Sequence, residues 1–209
     1  TRTKLGAKLL EKGKKVHLTS SAGTDLLFDI EGRNAIAQYG ASDVPGRWDH
    51  WPAGITGVAP IEDKTKGVLV LNTGDIILKL YRYILEPVKF YFENGKIVEI
   101  EGSSLDAILI REWFASWNDD KAYIPSHIGW GTEHRAVWST LSNPGPGGIM
   151  DAESFYGGIL FGIGANFFQG LGGKNVTAAH IDLCMRSCNF YVDDKLVVEN
   201  NKIVINELK

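Results

Sequence analysis

The sequence is poor in cysteine, in net charge and in long apolar segments, and each shortage excludes a class of protein. Its 209 residues carry 22 basic and 25 acidic side chains, which gives a net charge of −3. This balance excludes the broad basic surface with which proteins bind nucleic acid or anionic membranes. No apolar run approaches the roughly 18 residues of a transmembrane helix, and no signal-peptide pattern is visible. We expect a cytoplasmic globular protein with no nucleic-acid or membrane partner.

The two cysteines, Cys184 and Cys188, lie four residues apart in the segment IDLCMRSCNFYV. Within one strand, an even spacing places both thiols on the same face but well separated along it. That separation suits a disulfide poorly, because bonded cysteines need closely spaced Cβ atoms. Two cysteines in 209 residues are typical of a reducing compartment, which agrees with a cytoplasmic protein.

Strand patterns joined by tight turns dominate the chain. The clearest hairpin is 88–102, where Asn94-Gly95 supplies the two positive-φ positions of a type I′ turn. Ser103-Ser104 precedes a helix pattern at 105–117 and is typical of an N-cap. Because tight turns join antiparallel strands, the pattern predicts an α+β fold with mainly antiparallel sheets and a few helices. The remaining expected elements are a helix at 3–12, strands at 16–20, 26–32, 67–71 and 76–81, and a closing hairpin from residue 190.

A His-x-Asp pair, His180-Ile181-Asp182, is the strongest chemical signal in the chain. Residues two apart in a strand face the same side, so the imidazole and the carboxylate can converge on one metal ion. His134, upstream in GWGTEHRAVW, is the expected third ligand, and such a trio leaves three coordination positions open. The alternative is a buried histidine hydrogen-bonded to a neighbouring carboxylate, and the pair alone does not decide between the two.

Other titratable residues have simpler explanations. His17 and His127 lie inside strand-like runs, where a core or surface role is expected rather than metal binding. Glu99 and Glu101 share one face of a hairpin strand, and such faces are usually solvated. Glu133 is expected to form an ion pair beside a metal ligand. If one of these carboxylates were buried beside the metal-binding histidines, a two-metal site would result.

The segment PGRWDHWPAG (45–54) concentrates reactive side chains in one loop. In a functional interpretation, Trp48 and Trp51 wall a pocket for a planar molecule, Arg47 lines it, and His50 acts as its acid or base. In a structural interpretation, the tryptophans anchor the loop and its polar groups face water. The sequence leaves both interpretations open.

Five segments, taken in order, carry a family resemblance: HLTSSAGTDLLFDIEGR, PGRWDHWP, FENGKIVEIEG, GTEHRAVW and AAHIDLCMRSCNFYVDD. Together they resemble the 2,5-dihydroxypyridine 5,6-dioxygenases of bacterial nicotinate and nicotine degradation. Those enzymes are similar in turn to the M29-type metalloaminopeptidases. The resemblance covers nearly the whole chain, and the ordered set is far more specific than any one segment.

The resemblance implies a mononuclear Fe(II) held by His134, His180 and Asp182. It implies a reaction with O₂ that cleaves a dihydroxypyridine ring to N-formylmaleamate. For such a reaction, His50 is the candidate acid, base or hydrogen-bonding group of the pocket. It also implies that residues 1–209 form one metal-binding catalytic domain, a fragment without the family's N-terminal half. Exposed strand edges and the missing half favour a homo-oligomer.

Two other functions remain open. An M29-like two-metal aminopeptidase would need further carboxylate ligands, such as Glu99, Glu101 or Glu133. By the resemblance, Gly129-Trp130-Gly131 stands near the place where those peptidases carry a glutamate ligand, which favours one metal over two. A non-catalytic oligomerisation or binding domain with a degenerate His-x-Asp site would hold no metal.

Overall fold

In the computed structural model, residues 1–142, 148–168 and 170–209 are described, and they form three α-helices and fifteen β-strands. The helices are α1 (Arg2–Lys12), α2 (Leu105–Ser116) and α3 (Gly148–Ser154). None of them is long and apolar enough to cross a membrane. The strands are β1 (Lys15–Ser20), β2 (Asp25–Asp29), β3 (Ala35–Gln38), β4 (Ile55–Val58), β5 (Lys66–Leu71), β6 (Ile76–Ile77), β7 (Arg82–Tyr83), β8 (Val88–Glu93), β9 (Lys96–Glu101), β10 (Pro125–Gly131), β11 (Ile159–Gly164), β12 (His180–Met185), β13 (Cys188–Val192), β14 (Lys195–Glu199) and β15 (Lys202–Ile203).

The strands form two sheets in which every pair of neighbouring strands is antiparallel. The first sheet has eight strands in the order β15-β14-β13-β1-β2-β5-β8-β9. The second has seven, in the order β3-β4-β10-β11-β12-β6-β7. The predicted α+β class with mainly antiparallel sheets is therefore confirmed.

Local sequence signals account for several of these elements. Asn94 and Gly95 adopt φ values of 48° and 75° between β8 and β9, as a type I′ turn requires. The Ser104 side chain accepts a hydrogen bond from the Ala107 amide at 3.3 Å and so caps α2. The hairpin and the helix therefore lie where the sequence predicts them.

The two sheets pack face to face around a large apolar core. Phe161 of β11 contacts Phe28 of β2 and Phe92 of β8, with ring centroids 5.4 and 5.8 Å apart. Trp130 of β10 packs edge-on against Phe190 of β13 at 5.2 Å. Burying one such side chain stabilises a fold by about 1.5–3 kcal/mol, so these contacts hold the seven-stranded sheet firmly in place.

The opposite face of the seven-stranded sheet gathers polar side chains. On β12, Ile181 and Leu183 point into the core, whereas His180 and Asp182 point to the other side. This is the period-two alternation of a strand with one apolar face. Helix α3 and the loop between β3 and β4 both contribute residues to a pocket on that face.

Both cysteines are buried free thiols, as expected. They do not share one strand, however, because Cys184 lies on β12 and Cys188 on β13, which belong to different sheets. A turn with φ of 60° at Ser187 takes the chain from one sheet to the other. Burial raises the pKa of Cys188 to about 12, so this thiol stays protonated and unreactive.

Candidate metal centre

Three side chains from two strands, His127, His180 and Asp182, converge on the pocket face of the seven-stranded sheet. Nε2 of His127 lies 3.1 Å from Oδ1 of Asp182, and Nε2 of His180 lies 3.2 Å from Oδ2. Each residue offers one ligand atom, and the three atoms all lie within 4.8 Å of one another. Two imidazoles and one carboxylate are the donor set of mononuclear non-haem iron sites.

His127 reaches Asp182 by lying over a glycine in the strand between them. In the sheet, β11 separates β10 from β12, and its Gly162 pairs with His127 on one side and with Asp182 on the other. A Cβ atom at Gly162 would lie 2.5 Å from Nε2 of His127 and 2.7 Å from its Cε1. The imidazole therefore fills the space that any other residue at position 162 would occupy.

A hydrogen bond to the backbone orients His180. Its Nδ1 lies 3.2 Å from the carbonyl oxygen of Ala165, to which it donates. Holding the proton on Nδ1 leaves the lone pair of Nε2 directed toward the Asp182 side of the site, as is usual for metal-binding histidines. The ring of Phe168 packs edge-on against the imidazole, with centroids 5.5 Å apart.

The charges of the three groups depend on one another. Burial works to raise the pKa of Asp182, but the neighbouring His180 and His127 rings outweigh it and hold the pKa below its ordinary value. Burial works to lower the pKa of His180, but the Asp182 charge and the Ala165 carbonyl raise it above its ordinary value. The site is thus an anionic carboxylate between two imidazoles.

Two spacings in the cluster, each from an imidazole nitrogen to a different oxygen of Asp182, fit neighbouring ligands of one metal ion. Metal–ligand bonds of about 2.1 Å at right angles place neighbouring ligand atoms about 3 Å apart. The two measured nitrogen–oxygen distances are 3.1 and 3.2 Å. Oδ1 of Asp182 is buried, and Nε2 of His127, 3.1 Å away, is not aligned for a hydrogen bond to it. A buried acceptor left in that state costs about 1–3 kcal/mol. A divalent cation would satisfy it.

His134, the expected third ligand, lies outside this cluster. Strand β10 ends at Gly131, and the chain turns at His134. The exposed His134 ring stacks on Tyr156, with centroids 3.8 Å apart. The structure therefore does not bring His134 to His180 and Asp182, because strand β10 ends three residues before it.

Strand β10, which ends before His134, carries His127 to the site. Ile128 and Trp130 occupy the core face of β10, so His127 necessarily points to the opposite face. Its position inside a strand-like run predicts a core or surface role, whereas the structure places it beside Asp182 in the pocket. The alternation of β10 was a usable signal, since a histidine between apolar core positions faces away from the core.

His50 borders the same pocket. Its Nδ1 lies 2.8 Å from the Pro52 carbonyl oxygen, to which it donates, so Nε2 keeps a free lone pair. That Nε2 atom is buried and has no hydrogen-bond partner among the described residues. Burial lowers the pKa of His50 below its ordinary value. The ring is therefore neutral near pH 7 and can accept a proton at Nε2.

The other expected pocket residues divide between two roles. Arg47 and Trp48 line the pocket, whereas Trp51 lies outside its lining. Arg47 donates to the carbonyl oxygens of Ala37 and Ala41 at 2.6 and 2.7 Å, and these bonds fasten the loop to β3. Trp48 and Trp51 expose 73% and 65% of their surface. Arg47 thus both lines the pocket and anchors the loop, whereas the two exposed tryptophans do not anchor it.

The pocket has a volume of about 690 Å³ and joins His50 to the three clustered side chains. One residue that the sequence did not single out, Glu153 of α3, also lines it. The helix around Glu153 is short, and no motif marks the residue, so its place became visible only when α3 was seen over the sheet. The apolar lining includes Ile36, Ile55, Met150, Leu160, Phe168 and Leu171.

The carboxylates considered for a second metal ion lie in other environments. Glu101 pairs with Lys89 at 3.0 Å on the outer hairpin of the eight-stranded sheet, and Glu99 is exposed beside it. Glu133 pairs with Arg135 at 2.9 Å, and that guanidinium lowers the pKa of Glu133 to about 2. The structure brings none of these three to the cluster of His127, His180 and Asp182.

Comparison with known proteins shows the family to which the chain belongs. The family described as 2,5-dihydroxypyridine 5,6-dioxygenase (NicX) matches residues 1–205. A 2,5-dihydroxypyridine 5,6-dioxygenase of Pseudomonas putida is 40% identical over 201 residues, which cover 95% of this chain and 57% of that protein.

Solved structures show the same relationship. The 2,5-dihydroxypyridine dioxygenase of Pseudomonas putida KT2440 superposes with a TM-score of 0.93 at 38% identity, over 100% of this chain and 60% of that one. AmpT of Thermus thermophilus superposes with a TM-score of 0.68 at 16% identity, over 97% of this chain and 52% of that one, a likeness of fold alone. The chain thus spans about three fifths of the length of the two Pseudomonas putida dioxygenases described above.

Proposed function

The chain belongs to the 2,5-dihydroxypyridine 5,6-dioxygenase family, and from that membership we propose that it carries the Fe(II) centre of an enzyme that opens a dihydroxypyridine ring with O₂. The reaction adds both oxygen atoms across the bond between ring carbons 5 and 6 and gives N-formylmaleamate. The single observation that carries the proposal is the cluster of two histidines and one aspartate at the pocket floor.

His127, His180 and Asp182 are the proposed metal ligands. The Asp182 carboxylate offsets part of the metal charge, and the Ala165 carbonyl keeps the Nε2 lone pair of His180 available. When bound, Fe(II) supplies the redox chemistry that allows O₂ to react with an electron-rich ring. With three protein ligands, the metal would keep coordination positions available to substrate.

His50 is the proposed acid–base residue. Its Nδ1 proton is committed to the Pro52 carbonyl, so Nε2 accepts the proton that a substrate hydroxyl releases on binding and later returns it. A low pKa suits this role, because the ring must be neutral when the substrate arrives. Trp48, on the same loop with its ring centroid 5.7 Å from that of His50, is a proposed pocket wall.

Apolar side chains around the pocket limit its water. Ile36, Leu160 and Leu171 face the cavity from three different parts of the fold. Such a lining holds a planar ring in place and strengthens each polar contact made to it. The pocket of about 690 Å³ is in the range of ordinary small-molecule sites, roughly 300–1,000 Å³.

The test is anaerobic loading of the chain with Fe(II), followed by oxygen uptake on addition of 2,5-dihydroxypyridine. We expect one iron per chain, one O₂ consumed per substrate lost, and N-formylmaleamate by mass spectrometry. Asp182→Ala serves as the negative control, because it removes the anionic ligand and should abolish both iron retention and uptake.

Two outcomes would count against the proposal. Full iron loading with no oxygen uptake would assign the ring chemistry to the longer relatives and not to this chain. Two zinc ions per chain with peptide hydrolysis would replace the dioxygenase proposal by hydrolysis at a dinuclear centre.

A further inference from the structure

The connection between β11 and β12 forms one side of the pocket. Its residues Phe168, Gly170 and Leu171 line the cavity, and we call these three the pocket wall. The Leu171 amide donates to the Phe168 carbonyl oxygen at 3.2 Å, so the pocket wall is a single turn of the chain. The Phe168 ring also packs edge-on against His180. The interactions that fix this turn therefore set the shape of the pocket beside the proposed metal ligands.

One carboxylate, that of Glu62, holds the connection on both sides of the pocket wall. Its Oε1 accepts hydrogen bonds from the Asn166 side-chain amide at 3.0 Å and from the Lys174 backbone amide at 2.7 Å. Its Oε2 accepts from the Arg33 guanidinium, which also donates to the Gly172 carbonyl oxygen. Because Asn166 precedes the pocket wall and Lys174 follows it, Glu62 and Arg33 fasten both ends of the turn.

The Arg33–Glu62 pair is itself attached to the end of β2 in the other sheet. The Arg33 amide donates to the Ile30 carbonyl oxygen at 3.1 Å. Glu62 lies between β4 and β5, and the preceding Ile61 amide donates to the Asp29 carbonyl oxygen at 2.8 Å. The position of the pocket wall is therefore referred to the eight-stranded sheet.

The burial of this pair favours a geometric role over a simple contribution to stability. The side chains of Arg33 and Glu62 expose 9% and 22% of their surface. Removing two charges from water offsets most of their attraction, so such a pair adds little net stability. Burial works to raise the pKa of Glu62, but the Lys174 and Asn166 amides and the Arg33 charge outweigh it and hold the pKa below its ordinary value. An uncharged glutamine would turn an N–H group toward one of these three donors.

We propose that Glu62 is a positioning residue, which holds the pocket wall where its side chains pack against the face of the substrate ring. This inference rests on the proposed function. Glu62 lies outside the pocket lining, so it acts through the wall and not by contact. The Ala165 carbonyl that orients His180 is held separately, by the Ser126 hydroxyl. Loss of Glu62 should therefore weaken binding of the ring and leave metal binding intact.

The first readout needs neither metal nor ligand. Amide hydrogen exchange of the metal-free chain, followed by mass spectrometry, reports how firmly the connection is held. In Glu62→Gln, the peptide that contains Lys174 and Asn175 should exchange about 10-fold faster or more, because the Lys174 amide loses a charged acceptor. Glu101→Gln is the matched control, since it removes a glutamate that pairs with Lys89 at 3.0 Å on the outer hairpin. It should leave exchange in this peptide unchanged.

The second readout separates the pocket wall from the metal. The chain is loaded anaerobically with Co(II), whose visible absorption changes when a ligand enters its coordination shell. It is then titrated with 2,5-dihydroxypyridine and with azide, which is too small to extend from the metal to the pocket wall. Glu62→Gln should bind the ring about 10-fold more weakly or worse, because the wall is no longer preorganised. Azide affinity should stay within about twofold, and the cobalt content should be unchanged.

A second variant approaches the same pair from its other member. Arg33→Met removes the guanidinium and should show the same split between ring and azide, so it serves as the test if Glu62→Gln folds poorly. The double variant should bind the ring no more weakly than the weaker of the two single variants by more than about twofold, because both changes break one network.

Four results would decide against all or part of this assignment. Unchanged ring affinity in both single variants would overturn it. Equal weakening of ring and azide, or loss of cobalt, would show a general structural role and overturn it as well. A wild-type chain that binds azide but not the ring would overturn both this assignment and the proposed function. Ring affinity that depends on Glu62, in a chain that shows no oxygen uptake with Fe(II), would sink the proposed function and leave the role of Glu62 standing.

Discussion

Replacing Gly162 by alanine should disable the metal site without unfolding the protein. The new Cβ would lie 2.5 Å from Nε2 of His127, where ordinary contact begins at 3.4 Å. The imidazole must therefore retreat by roughly 0.9 Å, the difference between these two distances. Gly162 does not adopt a positive φ, so the backbone itself accepts alanine.

The expected magnitude follows from the tolerance of metal coordination. Metal–ligand distances vary by about 0.2 Å, so a displacement several times larger removes His127 from the coordination shell. Even changes in residues that only orient a metal ligand cost about 10- to 100-fold in metal affinity, and loss of a ligand should cost at least the upper part of that range. Overpacking should lower the free energy of unfolding by about 1–3 kcal/mol.

The assay is calorimetric titration with Fe(II) or Zn(II), with thermal unfolding measured in parallel. Gly57→Ala is the matched control, because Gly57 lies in the same sheet and its added Cβ would meet nothing closer than 3.5 Å. A Gly162→Ala protein that binds metal within twofold of wild type would refute the argument that His127 approaches the ion over Gly162.

Three further predictions can be tested together. His127→Ala should lose the bound metal while His134→Ala keeps it, as metal content per chain after desalting will report. His50→Ala should keep one metal ion and lose turnover by about 10²-fold or more. Wild-type turnover should stay constant as the pH falls, until the pH reaches the His50 pKa. Burial places that pKa below the ordinary value of about 6.5. Burial raises the pKa of Asp75 from 3.8 to about 6, so between these two pH values the native protein holds a proton on Asp75 that the unfolded chain has lost. The free energy of unfolding therefore falls as the pH rises from about 3.8 to about 6, by on the order of 3 kcal/mol. Asp75→Asn should lack that slope in denaturant titrations at several pH values, and parallel pH profiles for the two proteins would contradict the expectation.

Much of the fold was predictable where local chemistry decides the structure. Asn94-Gly95 and the Ser104 cap act within a few residues, and both elements lie where they were expected. Strands β3 and β4 gave no such signal, since each has four residues and neither alternates between buried and exposed positions. The structure of these strands follows from their neighbours in the sheet, which the sequence does not reveal.

The candidate site was predictable to the same extent. His180 and Asp182 could be predicted to share one face of β12, because side chains two residues apart in any strand point to the same side. His134 was chosen for its position after glycines, but the strand ends at Gly131, so the structure does not bring His134 to the cluster. Glu153 could not be found, because a helix of seven residues has no pattern that tells which strand it covers.

The convergence of His127 and Asp182 shows why the third member of this cluster resisted prediction. Adjacent strands lie about 4.8 Å apart, so β10 and β12 are separated by roughly 9.6 Å with β11 between them. Side chains on those strands meet only if the intervening residue leaves the space empty, and Gly162 does so. The metal site is therefore encoded by three strands at once: a histidine facing away from the core, a His-x-Asp pair, and a glycine opposite both. Only the order of the strands in the sheet connects these three signals, and that order follows from long-range packing such as the contact of Phe161 with Phe28 and Phe92.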